Sequence, residues 1–136
     1  MAIRRYEDGD FDGLDALWTE AFPNDPPRNR AGNAVPAKRA FQPDLLFVAA
    51  EGGEILGSVM AGYDGHRGWL YSVAVRQSER GRGLGTALVH HAEQALHAIG
   101  CEKINLQVRT SNAAVVRFYQ RLGYAVEDRV SLGRSL

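Results

Sequence analysis

The residues best suited to chemistry gather in "RGRGLGTA", residues 80–87, between an apolar alternation that ends at Val75 and a long helical pattern that runs to Ile99. Glycines at 81, 83 and 85 free the backbone to turn. The first N–H groups of a helix have no intrahelical acceptor, so such a stretch can hold an anion. Arg80 and Arg82 add positive charge beside it. Three ligand classes compete. A mononucleotide P-loop needs a longer spacing between its glycines and then Lys followed by Ser or Thr, and this stretch has neither. A dinucleotide turn needs Gly-x-Gly-x-x-Gly and an acidic residue about 20 positions on, at the end of the next strand. Here the glycines alternate, and Glu102 stands at the start of its strand. The third reading takes Arg80-x-x-Gly83-x-Gly85 as a pyrophosphate cradle. On this turn alone, a plain glycine-rich connection stays open.

Other reactive types are sparse. Asn112 opens the helical pattern "NAAVVRFYQRL" and is a strong cap by type. Tyr119 borders the apolar stripe of Val115, Phe118 and Leu122, where a core aromatic and a phenol donor are both open readings. His90 and His97 fall on the polar side of the long helix, and no carboxylate or thiol pattern joins them or His91, so no metal is assigned. Cys101, the single cysteine, has no disulfide partner within the chain and reads as a small buried hydrophobe.

The hydrophobic periodicity supplies the elements that must position these side chains. Residues 3–6 predict a short strand, and "DGDFDGLDALWTEAF" sets Phe11, Leu14, Leu17 and Trp18 at helical spacing behind an acidic cap. Pro23, Pro26, Pro27 and Pro36 make residues 23–36 a loop, followed by a short helix over 37–41. "LLFVAA" and "EILGSVMAGY" flank the turn "EGG" as a hairpin, to which "GWLYSVAV" adds a strand. A helix over 83–99 with Leu84, Leu88, Ala92, Ala95 and Ile99 on one face comes next. The strand "KINLQV", a helix over 112–122 and a final strand from Tyr124 complete the chain. An antiparallel first half followed by a right-handed strand-helix-strand crossover makes one mixed α/β unit over 1–136.

At 136 residues the chain suits one domain, and 45% hydrophobic with 24% charged residues is the composition of a globular protein. Sixteen basic residues balance sixteen acidic ones, which gives no global field for nucleic acid or an anionic membrane. Positive charge concentrates locally, at Arg76, Arg80 and Arg82. With one cysteine, no leader-like segment and no run of about 18 apolar residues, the expectation is a cytoplasmic protein.

With "VAV" before the glycine turn, "TSN" after the next strand and "FYQRLGY" closing the last helix, the pattern over residues 73–124 resembles the GNAT superfamily of acyl-CoA-dependent N-acetyltransferases. "GYDGHRG" and "SLGRSL" look like its small bacterial YpeA-type branch. The resemblance implies an α/β fold with a mixed, mostly antiparallel sheet of 6–7 strands, splayed between the fourth and fifth and flanked by about 4 helices. It implies acetyl-CoA as acyl donor, with pantetheine in the splay against the backbone of Val73, Ala74 and Val75. The Val73 N–H would then lie near the thioester oxygen, where negative charge grows. Pyrophosphate would sit on the amides of Gly81, Arg82, Gly83, Leu84, Gly85 and Thr86, with the Arg80 and Arg82 side chains adding charge. Asn112 would contact the cofactor, and Tyr119 would protonate the departing thiolate.

The acceptor implied is a primary amine of a small molecule or peptide that attacks directly, on a monomer or homodimer, with no nucleic-acid or membrane partner. One departure matters. The branch that acetylates ribosomal protein N-termini carries a glutamate as general base where this chain has Gln107, which cannot take up a proton. The proton must then go to another group, a water chain or bulk solvent; Asp64, His66, Tyr71 and Glu20 are the candidate groups, and residues 23–36 and 63–68 should line the acceptor side. A catalytically idle acyl-CoA-binding regulator is the rival reading.

Overall fold

β-branched and aromatic runs separated by glycine turns pair as strands, and in the computed structural model, which describes residues 1–136, they form one five-stranded sheet. Strands β1 (Ala2–Arg5), β2 (Leu46–Glu51), β3 (Glu54–Tyr63), β4 (Gly68–Val75) and β5 (Ile104–Asn105) lie side by side in sequence order. The first four are antiparallel neighbours, and β5 runs parallel to β4. Four helices accompany them: α1 (Phe11–Ala21), α2 (Ala31–Phe41), α3 (Leu84–Ala98) and α4 (Ala113–Arg121). The chain forms two compact units, Met1–Leu106 and Gln107–Leu136.

In Met1–Leu106 the sheet is covered on both faces. Leu14, Leu17 and Trp18 of α1 pack with Val35 of α2, Leu46, Val48, Ile55 and Ala74. A capping box closes the chain entry into α1: the Glu7 N–H donates to Asp10 Oδ2 at 2.8 Å, and Arg4 grips both Asp10 oxygens at 2.7 and 2.9 Å. That pairing with Arg4 holds the buried Asp10 carboxyl below the usual carboxylate range. On the opposite face, α3 buries Leu84, Leu88, Val89, Ala92 and Leu96. Gly57 of β3 lets it approach, since a Cβ there would lie 2.8 Å from Leu88 Cδ1. Each of the leucines and Val89 contributes about 1.5–3 kcal/mol of transfer free energy by leaving water.

The structure departs from the sequence expectation in four places. The sheet has five strands rather than 6–7: "KINLQV" is paired only at Ile104–Asn105, and no strand follows Tyr124. In the unit Gln107–Leu136, Val126, Val130 and Leu132 are 75%, 87% and 91% exposed, so their β-forming types have no face to bury. The loop expected over 23–36 ends early, because α2 begins at Ala31 and holds Pro36 in its second turn. Ala31 and Val35 turn one side of α2 into the core, and the helix forms despite a proline penalty of about 3 kcal/mol. In α3, Val89 and Leu96 take the buried positions expected for Ala95 and Ile99. The helix stops at Ala98 and leaves Ile99 half exposed.

Candidate active site

β4 carries the first half of the site. Ser58 pairs with Ala74 and Met60 with Tyr71, so Val59 stands opposite both Ser72 and Val73, and β4 holds an extra residue there. Ser72 takes φ +50, a left-handed conformation unusual for any residue but glycine. Ser58 is fully buried beneath it; its hydroxyl accepts the Trp18 Nε1–H at 2.8 Å and donates to the Ser72 carbonyl at 2.8 Å. On its outer edge, β4 pairs with β5 only at Gly68 and Trp69. Past Trp69 that edge has no strand beside it, so Val73, Ala74 and Val75 offer backbone groups to an extended ligand.

The second half follows at once. Beyond Val75 the chain passes a short 3-10 turn (Gln77–Glu79), and Gly81 and Gly83 turn it at φ +80 and +81 into α3. Ala87 is the first residue of the helix whose N–H reaches a backbone acceptor outside it, Gly83 O at 3.0 Å, and no side chain caps the start. The N–H groups of Gly81, Arg82, Gly83, Leu84, Gly85 and Thr86 are left for an anion. A Cβ on Gly81 or Gly83 would meet nothing within 4 Å, so the left-handed turn demands glycine here and the space above it is open. Arg80 is exposed, and Arg82 is 74% exposed with Glu79 at 3.4 Å. Arg76 does not join them. Its Nε donates to Ile55 O at 2.7 Å, beside Glu54 at 3.5 Å.

The acceptor-side candidates fare differently. Asp64 Oδ1 accepts the N–H groups of His66 and Arg67, both at 2.7 Å, and these bonds hold its carboxyl below the usual range. It is a turn-maker. Glu20 Oε2 accepts the Gln77 N–H at 3.1 Å, which ties α1 to the turn before the glycines. His66 is exposed at the hairpin tip. Tyr71 is half exposed, and its phenol pKa is pushed up by partial burial and then by Asp64.

Sequence reasoning missed Lys38. β2 pairs with β3 only as far as Met60, and beyond it side chains of α2 and of Gln42, the residue after α2, bond to the β3 backbone. Gln42 donates to Tyr63 O at 2.7 Å and accepts its N–H at 3.0 Å, while Lys38 Nζ donates to Ala61 O. Lys38 is 9% exposed, and burial lowers its pKa to about 8. A Cβ on Gly62 would lie 3.7 Å from Tyr71 Cε2 and 3.8 Å from Lys38 Nζ, so both side chains border that glycine. A lysine in "PAKRA" carries no signal of this; only the packing of α2 on β3 reveals it.

Within Gln107–Leu136, Asn112 starts α4 through its carbonyl, which accepts the Val115 and Val116 N–H groups, both at 3.2 Å. Its side chain makes no capping bond, contrary to the expectation from its type, and stays exposed. Tyr119 is 8% exposed, edge-on to Phe118 at 4.9 Å and Tyr124 at 5.5 Å. Burial raises its pKa to about 12, so the phenol stays protonated at neutral pH. The Gln107 amide donates to the Ser131 hydroxyl. Back in Met1–Leu106, the histidines of α3 do not converge. His90 stands 3.9 Å from Glu93, and His91 packs edge-on to Phe47 at 4.6 Å, where burial lowers its pKa.

An extended edge on β4 leading into a bare helix start is an arrangement for a long ligand with a phosphate. Residues 11–124 match the acetyltransferase (GNAT) family. An acetyltransferase of Pectobacterium atrosepticum is 43% identical over 136 residues, covering 100% of this chain and 96% of that one. Two solved structures share the fold. Aminoglycoside N-acetyltransferase AAC(6')-Iy in complex with CoA superposes with a TM-score of 0.79 at 20% identity, covering 98% of this chain and 93% of that one. The ribosomal-protein-S18-alanine N-acetyltransferase of Escherichia coli gives 0.75 at 24% identity, covering 90% and 76%. The chain belongs to the acetyltransferase (GNAT) family, whose members are acetyl-CoA-dependent acyltransferases. No helix is long and apolar enough to cross a membrane.

Proposed function

We propose that the chain folds as one domain of this family, of the YpeA-type branch, and moves the acetyl group of acetyl-CoA to a primary amine of a small molecule or peptide. The observation that carries this reading is the continuity of two binding surfaces. The unpaired edge of β4 runs through Val73, Ala74 and Val75 and leads directly into the bare N–H groups from Gly81 to Thr86. Backbone on the edge holds an extended pantetheine arm, and the amides with Arg80 and Arg82 hold the pyrophosphate. Asn112 adds a polar contact to the cofactor.

In the proposed reaction the amine nitrogen attacks the thioester carbon directly. A C–N bond forms and the C–S bond breaks, while the Val73 N–H stabilises charge on the carbonyl oxygen. Tyr119, held protonated by burial, gives its proton to the leaving sulfur. The amine's own proton goes to solvent, since Asp64 and Glu20 are engaged by backbone N–H groups. The working unit is a cytoplasmic monomer or homodimer.

A panel of amines assayed by release of CoA thiol tests the reading. The expected result is one thiol released per acetylated amine, with no acetyl-enzyme trapped on quenching. Acetyl-CoA binding without turnover on any amine would favour the idle regulator, and a trapped acetyl-enzyme would replace direct attack by a covalent route.

A further inference from the structure

We propose that Ser58 is a positioning residue for acyl transfer: its hydroxyl fixes the Ser72–Val73 peptide at the β4 bulge so that the Val73 N–H is aimed at the acyl carbonyl. The proposal rests on the reading of the β4 edge as the acyl-CoA site.

A trans peptide unit is planar, with its C=O and N–H pointing in opposite directions, and the chain contains no cis bond. Fixing the Ser72 carbonyl therefore fixes the Val73 N–H. At the bulge the ladder cannot do this, because neither Ser72 nor Val73 has a registered partner on β3. The left-handed Ser72, at φ +50, turns its carbonyl toward Ser58, whose hydroxyl donates to it at 2.8 Å. The Val73 N–H must then point away from Ser58 and β3, toward the edge that has no strand beyond Trp69.

Two further features make the lock rigid. Ser58 is fully buried, and its oxygen is held from the other side by Trp18 Nε1–H at 2.8 Å, so the hydroxyl hydrogen has the Ser72 carbonyl as its directed acceptor. Serine has no preference for the left-handed region, in which a non-glycine residue stores about 1–3 kcal/mol, so the surrounding bonds must impose that conformation. Without the Ser58 hydroxyl, the Ser72 carbonyl becomes a part-buried acceptor with no donor, and the peptide is free to rotate toward one.

The test needs no acceptor amine. Isotope-edited infrared spectra of bound acetyl-CoA labelled with carbon-13 at the carbonyl read hydrogen bonding to that oxygen as a shift to lower wavenumber. Three variants are compared with the wild type: Ser58→Ala, which removes the donor to Ser72; Trp18→Phe, which removes only the other bond of Ser58; and Ser58→Cys, a near-isostere with a weaker donor. The expected result is a downshift in wild type and Trp18→Phe, an intermediate one in Ser58→Cys, and little or none in Ser58→Ala, with acetyl-CoA still bound.

Equal downshifts in all four proteins would overturn the proposal. So would binding by wild type with no downshift, which would leave the acyl-CoA reading standing. No binding by wild type would remove that reading and the proposal together. If Ser58→Ala fails to fold, an unaltered wild-type shift in Ser58→Cys still contradicts the lock.

Discussion

Gly52 and Gly53 turn the chain between β2 and β3 at φ +57 and +80, and Gly81 and Gly83 turn it before α3 at φ +80 and +81. At each of these glycines a Cβ would meet nothing within 4 Å, so backbone angle and free space are alike in the two turns. The residues that follow are not. Past Gly53 the chain enters β3, where Glu54 and Ile55 are paired at once with Glu51 and Ala50. Past Gly83 it enters a helix whose leading N–H groups have no acceptor until Ala87. A glycine turn becomes an anion site when it delivers unpaired donors into open space; the glycines supply only the turn.

Aspartate tolerates the left-handed region better than most residues, which lets one substitution separate the two turns. Gly83→Asp should weaken acetyl-CoA binding by more than ~100-fold through like-charge repulsion, whereas Gly53→Asp should leave affinity unchanged. Calorimetric titration of both folded variants checks this. Equal loss in the two, or retained binding in Gly83→Asp, would erase the distinction.

Tyr119→Phe keeps the ring against Phe118 and Tyr124 and removes the hydroxyl. It should lower kcat by about 10- to 100-fold at unchanged acetyl-CoA affinity, the lower part of the usual range for general acid catalysis. The departing thiolate belongs to a thiol with a pKa of about 8.5 and needs only modest help, and transfer from a phenol near 12 is uphill, which keeps the effect small. An unchanged kcat would make Tyr119 a packing residue.

Lys38 gives a pH test of the α2 edge. Its pKa falls from 10.5 to about 8 on folding, so between those values the unfolded chain binds more protons and stability rises with pH. The penalty for the buried ammonium is fully present below pH 8 and gone above 10.5. Urea midpoints of wild type minus those of Lys38→Met should therefore increase from pH 7.5 to 10. A difference flat in pH would mean the amine is solvated.

Arg82→Ala should have the smallest effect. The side chain is 74% exposed, so acetyl-CoA affinity should drop only a few-fold at low salt. The effect should vanish near 1 M salt, where the screening length is about 3 Å. A drop that persists there would mean that bound ligand buries the guanidinium.

The periodic elements were legible because their burial is local and regular. "EILGSVMAGY" and "GWLYSVAV" match β3 and β4 residue for residue, and the turn "EGG" needs only two glycines. Features set by distant partners were not legible. Ser72 adopts a left-handed conformation because Ser58, 14 positions away, holds its carbonyl. Lys38 is buried because α2 covers the bare end of β3, and α2 starts at Ala31 because its apolar side finds the core despite Pro36. The glycine turn could be placed from sequence, but the bareness of its donors could not, since a side-chain cap would have silenced them.

The most direct test of the acyl-CoA reading is a thermal melt of the wild-type protein with acetyl-CoA, CoA, ATP and NAD in parallel. A ligand at 100 times its dissociation constant stabilises the folded state by about 2.7 kcal/mol, a shift of several degrees for a domain of this size. The account predicts stabilisation by acetyl-CoA and CoA alone; a rise in Tm with ATP or NAD and none with CoA would contradict it.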